Sequence, residues 1–406
     1  MSFTPERVRA QFSALNQRYN HQPVTFFDGP GGAQVPLSVL DAMSSYLGHY
    51  NANLGGHYFS SQKTTQLLMD ARVSCQALLN APTSDSIVFG ANMTSLTFSL
   101  SRAISRTWQA GDEVIVTALD HYANVSTWQQ AAEDKSVTVL TARVEPKDCS
   151  VDIEHLLSLI TERTRLIAIT LASNTTGTMV DIAPVVAAAK AVGAQVYVDA
   201  VHYAPHQLVD VQALGCDFLV CSAYKFFGPH IGIAYIAPQW LQELQPYKVE
   251  PAVDIGPGRF ETGTQSFEAL AGLIASINYL AQWGDQSLDL RERLEQSYAL
   301  YNRYETQLSD YFLNRLQQTK GITLWGRDVA DANLRTPTFA LTFAGAEPIE
   351  VAKALGEKNI CLWSGHFYAL GLVRQLNLEE AGGVVRIGMM HYNTKAEIDR
   401  LFDALE

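Results

Sequence analysis

An aspartate and a lysine with complementary chemistry, Asp199 and Lys225, stand near the two ends of the stretch VDAVHYAPHQLVDVQALGCDFLVCSAYK. Each follows a short apolar run, Gln195–Val198 and Asp217–Cys221, of the kind that forms a buried strand of a parallel sheet. Ser222 and Tyr224 lie beside the lysine. In an open α/β sheet, ligands bind beyond the carboxyl ends of the strands. One carboxylate and one amine are therefore expected to face a single crevice. A lysine amine can hold an aldehyde as a Schiff base, and a carboxylate can keep a pyridine nitrogen protonated. Together these are the requirements of pyridoxal 5′-phosphate. Taken singly, a helix-capping aspartate and a loop lysine would account for each residue; the pair at two strand ends favours the cofactor.

The elements that must position this pair read as a βα alternation. Ile87–Phe89, Glu113–Thr117, Val137–Thr141 and Leu166–Thr170 read as earlier strands and Ile233–Ile236 as the last. Helices are expected over Leu37–His49, Thr64–Asn80, Asn92–Ser105, Asp152–Ile160 and Ile182–Val192. Gly90 followed by a helix start is a ready anion site, so the cofactor phosphate is assigned to the amides around Asn92 and Met93. His121 follows the strand Glu113–Thr117, where its ring could stack on a pyridine face and move a proton; packing or capping is its other reading. Asn174, in SNTTG, could hydrogen-bond the cofactor's 3′ oxygen or a substrate carboxylate, or form an Asx turn. FFDGPGGAQVP sets Gly29, Pro30, Gly31 and Gly32 in a tight loop that can wall the site. Gly32 and His57, the latter in the helix-breaking segment Asn51–His57, are candidate substrate contacts.

Outside this alternation, Val8, Phe12 and Leu15 give Thr4–Tyr19 the spacing of an amphipathic helix. An irregular loop, GPGRFETGTQS, precedes helices over Phe267–Trp283 and Arg291–Gln318. The pattern then changes. Strands near Ile322–Trp325, Thr338–Phe343, Ile360–Leu362 and Val384–Ile387, with helices Pro348–Lys358 and Lys395–Leu405, describe a compact α+β unit. The expected division is an N-terminal helix or arm over 1–25, a large cofactor-binding domain over 26–285 and a small domain over 286–406.

Composition narrows the function classes. A chain of 406 residues, 47% hydrophobic and 17% charged, is globular and can build two cores. A formal net charge of −12 argues against a nucleic-acid partner. Five cysteines without a CxxC pair fit neither a disulfide framework nor a zinc site. The N-terminal residues carry no apolar signal core, and no apolar run approaches a membrane span. A cytoplasmic enzyme without a membrane partner is the simplest reading.

Several ordered pieces carry a resemblance to fold-type I pyridoxal-phosphate enzymes of the class V aminotransferase group, most of all cysteine desulfurases and selenocysteine lyases. They are Asp120-His121 with Ala123-Asn124, SNTTGT, VDAVHYAPH, SAYKFFGPHIG, RFETGT and VRIGMMHYNT. The resemblance runs from about Phe26 to the C-terminus. It implies the aspartate aminotransferase-like transferase fold, with a mixed, mostly parallel seven-stranded sheet in the large domain and a smaller α+β C-terminal domain. It also implies roles. Lys225 would be the Schiff-base lysine, Asp199 the pyridinium partner and His121 the stacking ring. His202 stands where the group usually has Gln, as a donor to the 3′ oxygen. Ser222 would bind phosphate with Asn92 and Met93, and Tyr224 replaces a phosphate-binding His. Thr264 would reach the phosphate of a neighbouring subunit, implying a homodimer with composite active sites. Asn174 and Arg386 would hold the carboxylate of a small amino-acid substrate.

Departures from the pattern bear on the reaction. In cysteine desulfurases a loop cysteine takes the sulfur; here the loop reads SGHFYALGL, with Tyr368 at that position. A phenol cannot hold a persulfide. Trp363 stands where an Arg is usual, which suggests a larger or more apolar substrate. Lyase or aminotransferase chemistry is the first expectation. A desulfurase or selenocysteine lyase using Cys361 or a partner's cysteine is the second, and a catalytically silent binding module the third.

Overall fold

The computed structural model describes residues 3–406. Seven strands form its central sheet: β1 (Ile87–Gly90), β2 (Glu113–Thr117), β3 (Thr138–Ala142), β4 (Thr164–Thr170), β5 (Gln195–Asp199), β6 (Phe218–Ser222) and β7 (Gly232–Ile236). Their order is β1-β7-β6-β5-β4-β2-β3. β7 is antiparallel to both its neighbours, and the other pairs are parallel. The link from Ser222 to Gly232 is too short for a helical crossover, which takes about a dozen residues or more, so the chain must return antiparallel.

The apolar residues of β4, β5 and β6 alternate between two cores. Ile167, Ile169, Val196, Val198 and Leu219 join one. Leu166, Ala168, Tyr197, Phe218 and Val220 join the other. Burial of both faces is why these strands read as continuous hydrophobic runs. Register aligns Asp199 with Thr170 on one side and Val220 on the other, so the polar strand ends share one edge.

The helix Met93–Ile104 starts just past β1. Asn92 is extended, and its Oδ1 accepts from the Ser95 amide at 2.9 Å as an N-cap. Gly232 allows β7 to pass this turn: an added Cβ there would lie 2.4 Å from the Asn92 carbonyl carbon.

A second sheet contains β8 (Ile322–Trp325), β9 (Thr338–Phe343), β10 (Trp363–Gly365) and β11 (Val384–Gly388), ordered β8-β9-β11-β10 and wholly antiparallel. Helices Leu290–Gln318 and Lys395–Leu405 help cover it through Phe312, Phe339, Ile387 and Phe402. The first of these helices opens with a capping box, Asp289 and Glu292.

The N-terminal segment differs from expectation. Its helix covers only Pro5–Arg9, followed by a 3-10 turn at Ser13–Asn16 and a short strand at Arg18–Tyr19. Val8, Phe12 and Leu15 are all buried as their spacing implied. Phe12, however, is extended, which seats its ring edge-on against Tyr279 and Tyr392; tertiary packing overrides the helical period. Thr25–Phe26 pairs in parallel with Ile360–Cys361, and Asn393 Nδ2 donates to the Phe26 carbonyl at 2.9 Å. The strand expected over Ile360–Leu362 therefore ends at Cys361, and a separate strand, β10, follows. Helices Ser126–Glu133 and Leu370–Gln375 were not expected.

Among the described residues no helix is long and apolar enough to cross a membrane. None of their His, Cys, Asp and Glu side chains form a group of three that could hold a metal ion.

Candidate active site

A cavity of about 410 Å³ opens beyond the carboxyl ends of β2, β4, β5 and β6. Of the residues singled out from sequence, Met93, His121, Asn174, Asp199, His202, Tyr224, Lys225 and Arg386 line it. The loop at Pro30–Gly31 and the segment Trp363–Tyr368 close it from the second sheet's side.

Lys225 sits in a single 3-10 turn after β6. Its Nζ donates to the Pro30 carbonyl at 2.6 Å and lies 4.5 Å from the centre of the Tyr224 ring. Burial, reinforced by the Arg386 charge and opposed by Asp199, lowers its pKa to about 7. A large fraction of the amine is then unprotonated near neutrality, as a nucleophilic lysine needs. Asp199 is 3% exposed at the end of β5, with Oδ1 accepting from the Val201 amide at 2.8 Å. Burial raises its pKa to about 6, and no cation lies within ion-pair distance of it among the described residues. Asp120, behind it, is pushed up to about 8 by burial, with the Asp199 charge adding to the rise. Asn124 Nδ2 donates to Asp120 at 2.7 Å.

His121 accepts from the Ala123 amide through Nδ1 at 3.0 Å. Burial, then the Lys225 and Arg386 charges, depress its pKa to about 4. The neutral ring therefore carries its proton on Nε2. With Nδ1 engaged, it is placed to stack and to donate rather than to accept a proton. His202 is fully enclosed, held well below its ordinary pKa by burial, with Nε2 3.0 Å from Thr336 Oγ1. Behind it lies a buried chain that sequence reading missed: His206 Nδ1 is 2.9 Å from Glu305, and Glu305 faces His391.

Arg386, on β11, is 5% exposed. Its Nη1 donates to the Asn174 carbonyl at 2.9 Å, and its guanidinium carbon lies 4.0 Å from the centre of the Phe367 ring. Burial lowers its pKa to about 9, with Asp28 opposing. No carboxylate approaches within 4.0 Å among the described residues. Asn174 donates through Nδ2 to the Phe367 carbonyl at 2.8 Å, and its Oδ1 is buried without a partner.

The remaining candidates lie around this centre. Ser222 Oγ accepts from the Met93 amide at 3.1 Å, leaving its own proton free. Asn92 caps its helix and does not line the cavity. Gly32 packs on Tyr224, whose ring stacks on His230 with centroids 4.9 Å apart. Thr264 is exposed in a neighbouring hollow of about 280 Å³ with Gln265, Ser266 and His230. His57 is exposed and away from the cavity. The single chain thus does not bring Thr264 or His57 to the centre.

The donor set fits pyridoxal phosphate. A buried carboxylate without a cation, an amine lowered towards neutrality and a neutral imidazole converge on one cavity, with the helix start at Met93 on its wall. Fold and site together define a pyridoxal-phosphate type of α/β enzyme. The aminotransferase class-V profile matches residues 25–401, and the chain belongs to that family. It is 33% identical over 423 aligned residues to a cysteine desulfurase of Pectobacterium carotovorum, covering all of this chain and 98% of the relative. A cysteine desulfurase of Yersinia pestis is 32% identical with the same coverage. Among solved structures, a cysteine desulfurase of Escherichia coli superposes with a TM-score of 0.85 at 26% identity, covering 100% of this chain and 98% of the other. An apo cysteine desulfurase of Thermococcus onnurineus shares the fold, with a TM-score of 0.89 at 23% identity over the same shares.

Proposed function

We propose that this chain is a pyridoxal-phosphate-dependent enzyme acting on a small amino acid, with lyase or aminotransferase chemistry rather than persulfide-forming desulfuration. The observation that carries it is the buried Arg386, without a carboxylate partner among the described residues, facing Lys225 and Asp199 across a cavity whose described lining contains no thiol. Pyridoxal phosphate supplies an electron sink for charge developing at the substrate Cα. Asp199 would hold its ring nitrogen, His121 its ring face and His202 its 3′ oxygen. Tyr224 and the free hydroxyl proton of Ser222, oriented by the Met93 amide at the helix start capped by Asn92, would hold the phosphate. Arg386 and Asn174 bind and orient the substrate carboxylate, beside the backbone at Gly32. Lys225 anchors the cofactor and moves the proton through Nζ, since the acceptor lone pair of His121 is already engaged.

A homodimer is part of this proposal. Leu40 and Leu47 on the helix Leu37–His49, with Phe59, Val249 and Ile255, expose apolar surface of the sort that a second copy covers. Thr264 and His57 would enter the partner's site across that surface. The protein is read as a soluble, cytoplasmic enzyme without a nucleic-acid partner.

The relatives' names favour a second reading, desulfuration with an acceptor outside the cavity. Cys361 is half-buried beside Phe26, and burial raises its thiol above the usual range, so it is a poor acceptor. Product analysis of the holoenzyme separates the two. An oxo acid or ammonia formed without sulfide when amino acids including cysteine are offered is the expected result. Alanine and sulfide released from cysteine at catalytic rates would establish the second reading instead.

A further inference from the structure

We infer that the substrate's side chain is an aromatic ring, received by a wall formed of Trp363, Phe367 and Tyr368. This rests on the reading of Arg386 as the seat of the substrate carboxylate. Register sets the wall beside that seat. Trp363 on β10 is the direct antiparallel partner of Arg386 on β11, and such opposed side chains share a face about 5 Å apart. Both reach the same point of the Gly29–Gly32 loop. A Cβ built on Gly31 would lie 3.4 Å from Trp363 Nε1 and 3.6 Å from Arg386 Nη2. Phe367 lies under the guanidinium. Tyr368 stacks on His121 with centroids 5.2 Å apart and planes at 24°. An amino acid held by its carboxylate at Arg386, with Cα toward Lys225, is left with these rings around its side chain.

The wall is held in place rather than draped over the cavity. Phe367 and Tyr368 both have left-handed backbones, with φ of 52° and 58°. This is a conformation that residues with side chains adopt only when the surroundings impose it. Three hydrogen bonds impose it here. Asn174 Nδ2 donates to the Phe367 carbonyl at 2.8 Å, the Tyr122 amide to the Tyr368 carbonyl at 2.8 Å, and the Tyr368 amide to His366 Nδ1 at 3.0 Å. The rings thus held remain largely open: Trp363 is 57% and Tyr368 66% exposed. An indole and a phenol that face a cavity and stay uncovered are surfaces for another ring.

Charge points the same way. Among the described residues, the only Asp, Glu, Lys or Arg side chains lining the cavity are Asp199, Lys225 and Arg386, and the proposed function engages all three. Apart from His366, nothing among the described lining residues remains to pair with an acidic or basic side chain, and no thiol among them remains to receive sulfur. Offset or edge-on contact with the wall is what the lining offers.

The test is a titration of the holoenzyme, following the absorption band of its bound cofactor. L-phenylalanine, L-tyrosine and L-tryptophan are compared with L-alanine, L-cysteine and L-aspartate. The aromatic amino acids should half-saturate the response at lower concentration than the other three, by about two- to tenfold for each ring of the wall that the side chain meets. Trp363→Ala and Tyr368→Ala should each reduce the aromatic-to-alanine preference by a similar factor. Alanine, cysteine or aspartate binding as tightly as the aromatics would overturn the inference while leaving the proposed function standing. An aromatic preference that survives both substitutions would overturn the assignment to this wall. A band that answers to no amino acid would remove the underlying reading of Arg386, and this inference with it.

Discussion

Replacing Arg386 with methionine separates a residue kept for substrate from one kept for stability. A pKa lowered from 12.5 to about 9 corresponds to roughly 5 kcal/mol against the charged form inside the fold. Against this stand one charged hydrogen bond, to the Asn174 carbonyl, contributing about 1.5–3 kcal/mol, and a desolvated contact with the Phe367 ring contributing up to about 2 kcal/mol. Together they offset between about a third and all of it. Methionine fills similar space without the charge. Arg386→Met should therefore leave the unfolding free energy unchanged or raise it by up to about 3 kcal/mol. Substrate binding should behave quite differently. Losing one partner of an enclosed carboxylate–guanidinium pair costs about 2–5 kcal/mol, a loss of roughly thirtyfold to several thousandfold in affinity. The assay pairs denaturant unfolding with titration of the cofactor band by amino acid. A substrate response weakened less than about threefold would refute the reasoning, as would cofactor lost together with stability.

Two further outcomes follow from the same geometry. Because the amine of Lys225 titrates near 7 in the fold and near 10.5 in an open chain, raising the pH through 7 frees it for attack. Capture of pyridoxal phosphate by the apo-protein, followed by absorption, should accelerate with a midpoint near pH 7, and a midpoint above about 9 would contradict this. Gly388→Ala would set a Cβ 2.0 Å from Pro30 Cδ, displacing the loop whose carbonyl receives Lys225. A loss of about 1–3 kcal/mol in stability and weaker cofactor retention are expected, measured by thermal melts and dialysis; an unchanged melt would show that the loop yields freely.

The legible part of this protein lies where function and local pattern coincide. Asp199 and Lys225 could be placed at one cavity because Asp199 ends a strand buried on both faces and Lys225 stands in the turn after another, and such strands are visible as apolar runs. His121 and Asn174, picked out by the same strand-end position, and Met93, picked out by the helix start after Gly90, line the same cavity. What escaped reading depends on partners distant in sequence. The pairing of Thr25–Phe26 with Ile360–Cys361 leaves no local trace. β10 has three residues, too few for a period to show, yet it sets Trp363 beside Arg386. Asn174 is fixed by a backbone carbonyl, that of Phe367, which no residue type announces. Thr4–Tyr19 had the right spacing for the wrong structure, since burial of Phe12 needed a bend that periodicity does not encode.

The stitching of the N-terminal segment to the last strands has a consequence for biosynthesis. Pro30, whose carbonyl receives Lys225, belongs to a loop packed against Gly388, and the strand before that loop rests on Ile360–Cys361 and Asn393. A ribosome releases those anchors only after every strand of the large sheet has been made. Until then the large sheet can assemble with Asp199 and Lys225 in place, but the wall above them stays open to water. The cavity is therefore closed by residues synthesised after the sheet, and a nascent chain that has not yet reached Gly388 would present the lysine to any passing aldehyde without the enclosure that makes it selective.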